Sequence, residues 1–202
     1  MWLVDSQDWD NRYAGPDLVW GAGPNRFVVE QIDGRPPGRA IDLATGEGRN
    51  AIWLASQGWQ VTGVDFSAVG LARAEKLATD RGVTVDWVTA DLREYQPPPG
   101  GFDLVLLAYL QLPEPVLTPV LGRAAAALAP GGTLLFIGHD VDNLTRGVGG
   151  PQDPGMLHSA EQVTAGLGGL EITTAGQRTR PVPGPDGDRT AIDTLVLATR
   201  PA

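Results

Sequence analysis

The stretch RAIDLATGEGRNAIWLASQGWQVTGVDFS, residues 39–67, decides the fold. An apolar run at residues 40–44 enters a glycine turn, a helical pattern follows, and a second run, residues 59–65, ends on an acid. Strand, turn, helix and strand in so short a span describe a βαβ unit, the building block of a parallel sheet. Gly46, Gly48 and Ala51 fit the G-x-G-x-x-G/A fingerprint, and Asp65 follows at about the expected twenty residues. By itself that pattern fits a nicotinamide dinucleotide. Asp42 and Glu47 speak against one, because a pyrophosphate on the turn would meet two carboxylates at short range.

The alternation continues outward. The helix after the turn carries Ala51, Leu54 and Ala55 on one face and stops at Gly58. Ser67 is placed to cap the next helix, whose Leu71, Ala74, Leu77 and Ala78 recur at helical spacing before Gly82. Residues 83–91 read as a third strand and residues 102–110, FDLVLLAYL, as a fourth, the most buried of the set. Leu117, Val120, Leu121, Ala124 and Leu128 stripe a helix that Pro130 and Gly131 are expected to end. Residues 133–138 form a fifth strand, and Ser159 with Gln162 makes a capping-box pattern. LEITTAGQ and TAIDTLVLAT then face each other across PGPDGD, a hairpin signal that adds an antiparallel strand pair to an otherwise parallel sheet. The expected fold is α/β: a Rossmann-like, doubly wound, seven-stranded sheet, mostly parallel, with an antiparallel C-terminal hairpin strand.

Composition narrows the function. With 202 residues the chain suits a single domain, here divided into an aromatic N-terminal cap at residues 1–38 and the sheet domain at 39–202. A net charge of -9 argues against nucleic acid as a partner, since sequence-independent affinity for phosphate backbones comes from Lys and Arg. The absence of cysteine excludes disulfides, thiolate metal sites and a cysteine nucleophile, and two histidines make a zinc centre a poor reading, so no metal is expected. The opening MWLVDSQDWD has no basic leader, and no run is apolar enough to span a bilayer. A cytoplasmic protein without membrane contact is expected. Monomer and homodimer both remain open.

In an open α/β sheet, ligands sit beyond the carboxyl ends of the strands. The first strand brings Asp42 and the turn from Ala44 to Gly48, the second Asp65, the third Asp91, and the fourth Ala108 to Gln111. A sulfonium joined to an amino acid and adenosine suits these acids. Asp42 and Glu47 tolerate a cation, Asp65 accepts from two ribose hydroxyls, and Asp91 accepts from the adenine amine.

At these residues the chain resembles the class I S-adenosylmethionine-dependent methyltransferases. IDLATGEGRNA is similar to their first motif, VTGVDFS to the acidic second and VTADL to the third, and the terminal hairpin matches their reversed last strand. The resemblance implies S-adenosylmethionine as cofactor, S-adenosylhomocysteine as product, and a small-molecule methyl acceptor. It extends the cofactor set to Arg49, Asn50, Phe66, Ser67 and Leu92. WDNRYAGPDLVW and GEGRNAIWLA further resemble the small-molecule branch that holds the tellurite-resistance and thiopurine methyltransferases, in which an aromatic N-terminal segment covers the cofactor. That implies covering roles for Trp9, Tyr13 and Trp20. Arg26 then stands either on a cofactor carboxylate or substrate anion, or in an ordinary ion pair.

His139 and Asp140 follow the fifth strand and are the candidate catalytic pair. Histidine titrates near neutrality, so His139 suits proton removal from a hydroxyl, thiol or amine; its bland alternative is a bond to loop backbone. Substrate contacts are expected from the cap and from the loop at residues 140–158. A cofactor-binding regulatory module without catalysis is the alternative function. Short-chain oxidoreductase chemistry lacks the Tyr-x-x-x-Lys pair after the fourth strand. Trp2 is given no role.

Overall fold

The computed structural model describes residues 6–184 and 187–202. Trp2 with the rest of residues 1–5 of the cap, and Pro185 and Asp186 of the hairpin turn, lie outside the described residues. In chain order the elements are α1 (Ser6–Tyr13), α2 (Arg26–Ile32), β1 (Arg39–Leu43), α3 (Arg49–Ser56), β2 (Gln60–Asp65), α4 (Ala68–Asp80), β3 (Asp86–Thr89) and β4 (Phe102–Ala108). There follow α5 (Glu114–Ala127), β5 (Leu128–His139), α6 (Asn143–Arg146), a single 3-10 turn (Pro154–Met156), α7 (Ala160–Ala165), β6 (Glu171–Val182) and β7 (Arg189–Thr199).

One seven-stranded sheet runs in the order β3-β2-β1-β4-β5-β7-β6. Its centre is apolar on both faces because it is covered on both. Ile41, Leu43, Val105, Leu107, Leu134 and Phe136 point into the layer under α5 and α7. Ala40, Leu104, Leu106, Leu135 and Ile137 point the other way, onto Phe27 and Val28 of α2 and Leu54 of α3. The two sets alternate residue by residue, the period of a strand buried on both sides.

Several expected boundaries move. The third strand is confined to Asp86–Thr89, because Val83 still donates to Ala78 O (3.0 Å) to finish the turn out of α4. Pro130 and Gly131 do not end the helix. It stops at Ala127, and Leu128 already pairs with Phe102, so both residues sit in a bulge inside β5. The expected antiparallel C-terminal hairpin strand is β7. β7 is inserted between β5 and β6 and runs antiparallel to both, which restores β6 to the common direction.

Two elements that periodicity missed, α1 and α2, lie in the cap. Asn25 caps α2 by accepting from Phe27 N, and Phe27, Val28 and Ile32 bury the helix against the sheet. The carboxyl ends of β1, β2, β4 and β5 thereby open under the cap. The site lies there.

Candidate functional site

The turn after β1 is held in left-handed backbone, with φ of 64° at Ala44, 56° at Gly46 and 75° at Gly48. A side chain at either glycine would collide. A Cβ on Gly46 would stand 2.6 Å from the Tyr13 hydroxyl, and one on Gly48 2.7 Å from the Trp87 ring and 2.8 Å from the Ala74 methyl. Gly46 thus admits the cap, and Gly48 the packing of α3 on its neighbours.

Asp65 fixes this turn from the end of β2. Its carboxylate accepts from Gly46 N (2.8 Å) and Ser67 N (2.9 Å), while burial pushes its pKa up against those bonds. Asp42 lies beneath the turn. One oxygen accepts from the Thr45 hydroxyl at 2.7 Å, and the other turns toward the N-terminus of α3 without a formed hydrogen bond. Burial raises its pKa to about 6. Glu47 accepts from Val19 N at 2.9 Å and stands 3.2 Å from Arg73 Nη1, so its charge is already met by the protein. Glu47 nonetheless borders the cavity described below. Asp91 is held well below the ordinary carboxylate range by the Arg93 guanidinium bonded to it.

The cap is fastened by charged groups onto carbonyls. Arg73 donates to Tyr13 O and to Gly15 O (3.0 Å), Arg81 to Ala22 O (2.7 Å) and Arg49 to Trp20 O (3.2 Å). In the opposite sense Asp10 accepts from the Ser67 hydroxyl and, at 3.3 Å, from Val69 N. Trp9 packs between Tyr13 (5.3 Å between ring centroids) and Trp20 (6.2 Å), with the Arg12 guanidinium 5.0 Å and 4.9 Å from the two tryptophan rings. Asn25 N donates to Asn50 Oδ1 at 2.8 Å, which joins cap to α3.

A second group of residues meets at the ends of β4, β5 and β7. Tyr109, just past β4, holds φ of 60°, a strained value for an aromatic residue, with its N–H on Ile137 O at 2.7 Å. Its hydroxyl donates to Asp193 Oδ2 at 2.9 Å and accepts from Asn25 Nδ2 at 3.3 Å. Burial and the Asp193 charge push the phenol up to about 12. Arg180 Nε donates to the same Oδ2 at 2.7 Å, and His139 Nδ1 stands 3.2 Å from Asp193 Oδ1, close but not aligned as a hydrogen bond. The His139 and Tyr109 rings are 4.8 Å apart. Asp193 itself is 0 % exposed.

Both groups border one cavity of about 670 Å³. Of the sequence candidates, Trp9, Tyr13, Trp20, Arg26, Ala44, Gly46, Arg49, Asn50, Asp65, Phe66, Asp91, Leu92, Ala108 and His139 line it. Asp42, Gly48, Ser67 and Asp140 do not border it. Asp42 and Gly48 support the turn, Ser67 caps α4, and Asp140 is consumed by Thr194 Oγ1 (2.6 Å) and Gln177 Nε2 (2.9 Å). The Asp140 carboxylate, expected beside His139 as a catalytic partner, is thus turned to β6 and β7 and does not border this cavity. The loop at 140–158 also contributes no wall. Instead it braces His139: Gly150 lies flat on the imidazole, where a Cβ would be 2.9 Å from the ring, and His158 N donates to His139 O at 3.1 Å. Arg26 lines the cavity yet pairs with Glu30 at 3.0 Å. Tyr109 belongs to the stretch from Ala108 to Gln111 that the sequence places at the crevice, whereas sequence reasoning misses Arg180 and Asp193.

Among the described residues no helix is long and apolar enough to cross a membrane, and no cluster of His, Asp and Glu could hold a metal ion.

Residues 40–132, just under half of the chain, match the family model described as a methyltransferase domain. A demethylmenaquinone methyltransferase of Thermus thermophilus is 35% identical over 61% of this chain and 55% of its own length. A ribosomal RNA small subunit methyltransferase C of Alcanivorax borkumensis is 30% identical over 50% of this chain and 32% of its own. The chain therefore spans about half, or less, of these relatives. A solved structure reported under "Conversion of a Disulfide Bond into a Thioacetal Group during Echinomycin Biosynthesis" superposes with a TM-score of 0.76 at 20% identity, covering 97% of this chain and 92% of that one. The sheet order, with its reversed β7, is the Rossmann-like arrangement of the methyltransferases.

Proposed function

We propose that this chain is a class I S-adenosylmethionine-dependent methyltransferase acting on a small-molecule acceptor in the cytoplasm. One observation carries the reading: Asp65 and Asp91, at the ends of adjacent strands, border a single cavity with the glycine turn, under an aromatic cap. The residues present fit the donor. Asp65, already anchored through two amides, keeps lone pairs for ribose hydroxyls, and Asp91 stands one strand further out for the adenine amine. Phe66 and Leu92 supply apolar walls beside them. Arg49 is half-buried and, among the described residues, pairs with no carboxylate, which suits the donor's own carboxylate. The cavity volume falls in the range used for small ligands.

When bound, the donor supplies a methyl group activated by a sulfonium. The protein's part is orientation and exclusion of water. Trp9, Tyr13 and Trp20 close the donor side, and His139 and Tyr109 face the acceptor side. A small acceptor is favoured over RNA by the net charge of -9 and by the arginines Arg73 and Arg81, which are spent on the cap.

Calorimetric titration with S-adenosylmethionine, S-adenosylhomocysteine and NAD tests this. Micromolar binding of the first two, weakened in Asp91→Ala, which leaves the turn intact, is the expected result. Binding of NAD alone, or of none, would sink it. Binding of both sulfur ligands without conversion of one to the other on any acceptor would leave a regulatory binding module.

A further inference from the structure

We infer that the end of the cavity formed by Tyr109, His139 and Arg180 takes an acceptor whose hydroxyl stands beside an anionic group, a phenolic or enolic acid, with Asp193 setting the spacing of the two contacts. This rests on the methyltransferase reading and names the substrate class of that site.

The sheet itself assembles the cluster. His139 on β5 lies directly opposite Asp193 on β7, and Arg180 on β6 pairs with Ala191, one diagonal step from Asp193 on the same face. One buried carboxylate thus takes His139 Nδ1 at 3.2 Å on one oxygen and Arg180 Nε at 2.7 Å on the other. With Nδ1 directed at Asp193, Nε2 is the imidazole nitrogen left for a ligand. Arg180 is tethered to Asp193 through Nε and also interacts with the Tyr109 side chain, and its terminal nitrogens meet no other carboxylate among the described residues. A planar guanidinium held in that way is suited to grip an oxyanion with parallel N–H groups.

Both side chains are fixed to one carboxylate, His139 by Nδ1 at 3.2 Å and Arg180 by Nε at 2.7 Å, so one small acceptor can reach both. An acceptor that carries its hydroxyl and its anion side by side fits that pairing. Charge points the same way. When the hydroxyl O–H bond breaks, its electron pair stays on oxygen and the proton goes to Nε2. Once that oxygen has taken the methyl group it is neutral, and the imidazolium and Arg180 then place two positive charges on the single negative charge of Asp193. An anion on the acceptor supplies the missing one. A thiolate or halide would use neither His139 nor Arg180. Leu110, Leu112 and Val182 offer an apolar wall for a planar body.

The test uses the full chain saturated with S-adenosylhomocysteine, and calorimetric binding of 2-hydroxybenzoate, 4-hydroxybenzoate and phenol. The ortho acid is expected to bind about tenfold or more tightly than either of the others, and Arg180→Ala to abolish that preference. Retained S-adenosylhomocysteine binding shows that the variant is folded. Arg180→Gln, which keeps a donor for Asp193, replaces it if the alanine variant does not fold. Equal affinity for the three compounds, no binding of any, or a preference unchanged by both variants overturns the inference. If the wild-type chain does not bind S-adenosylhomocysteine, the methyltransferase reading fails instead.

Discussion

Tyr109 and Asp193 are 84 residues apart in sequence and joined by a hydrogen bond of 2.9 Å. The bond ties β4 to β7 across β5, and it ends on a carboxylate that has no access to water. Tyr109→Phe is expected to lower the unfolding free energy by about 1.5–3 kcal/mol, the usual worth of a hydrogen bond to a charged group. Asp193→Ala strands Arg180 and His139 as well, and its cost is expected to reach about 3–5 kcal/mol. Urea denaturation of the two variants checks the order. Equal or negligible losses would mean that the carboxylate is not the organising centre of this end of the sheet.

Gly46→Ala forces a methyl group to within 2.6 Å of the Tyr13 hydroxyl, in left-handed backbone. S-Adenosylhomocysteine affinity is expected to fall about tenfold or more as the cap lifts. Adding Tyr13→Phe removes the clashing oxygen, leaving the next ring atom 3.4 Å away, and is expected to recover part of the loss. The backbone strain, about 1–2 kcal/mol, remains. A double variant no better than Gly46→Ala would place the damage in the turn and not in the cap.

The contrast between these two sites explains what the sequence reveals. Gly46, Gly48 and Asp65 belong to one continuous βαβ unit, so their relation is written in linear spacing, and Asp91 follows from the same alternation. The His139–Asp193 and Arg180–Asp193 relations depend on β7 being inserted between β5 and β6. Hairpin signals announce the two strands but not the register that sets them opposite β5. Tyr109 is legible as a position at the end of the fourth strand but not in its conformation: FDLVLLAYL reads as an unbroken strand, and the positive φ at Tyr109 has no mark in an apolar run. His139 is legible because it follows a clear strand. Asp140, its neighbour, points the other way.

Asp42 is buried, with a pKa near 6 against 3.8 for a free carboxylate. The folded state therefore holds this proton more tightly than the unfolded chain. Its contribution to stability is fully present below about pH 4 and lost as pH rises through about 6, amounting to about 3 kcal/mol. Asp42→Asn removes that slope. The difference in unfolding free energy between this variant and the wild-type protein is expected to move in favour of the substitution between about pH 4 and 7. A difference independent of pH would show that Asp42 is ionised throughout.

Arg73 holds Tyr13 O, Gly15 O and the Glu47 carboxylate together. Arg73→Ala is expected to weaken the closed cap by about 1 kcal/mol, which raises its open population about fivefold. Limited proteolysis between residues 14 and 24 should accelerate by that factor, and saturation with S-adenosylhomocysteine should suppress the difference. Unchanged cleavage would mean that the aromatic stack alone keeps the cap in place.

The reversed strand makes the molecule modular. Turn, Asp65 and Asp91 lie within residues 40–132, whereas Arg180 and Asp193 ride on a hairpin that enters the sheet at its far side. The glycine turn with its two acids and the Arg180–Asp193 pair are thus carried by separate stretches of chain, one early and one late. Exchanging the late segment between related chains, with the residue opposite position 139 kept in register, changes the second group and leaves the turn and its acids untouched.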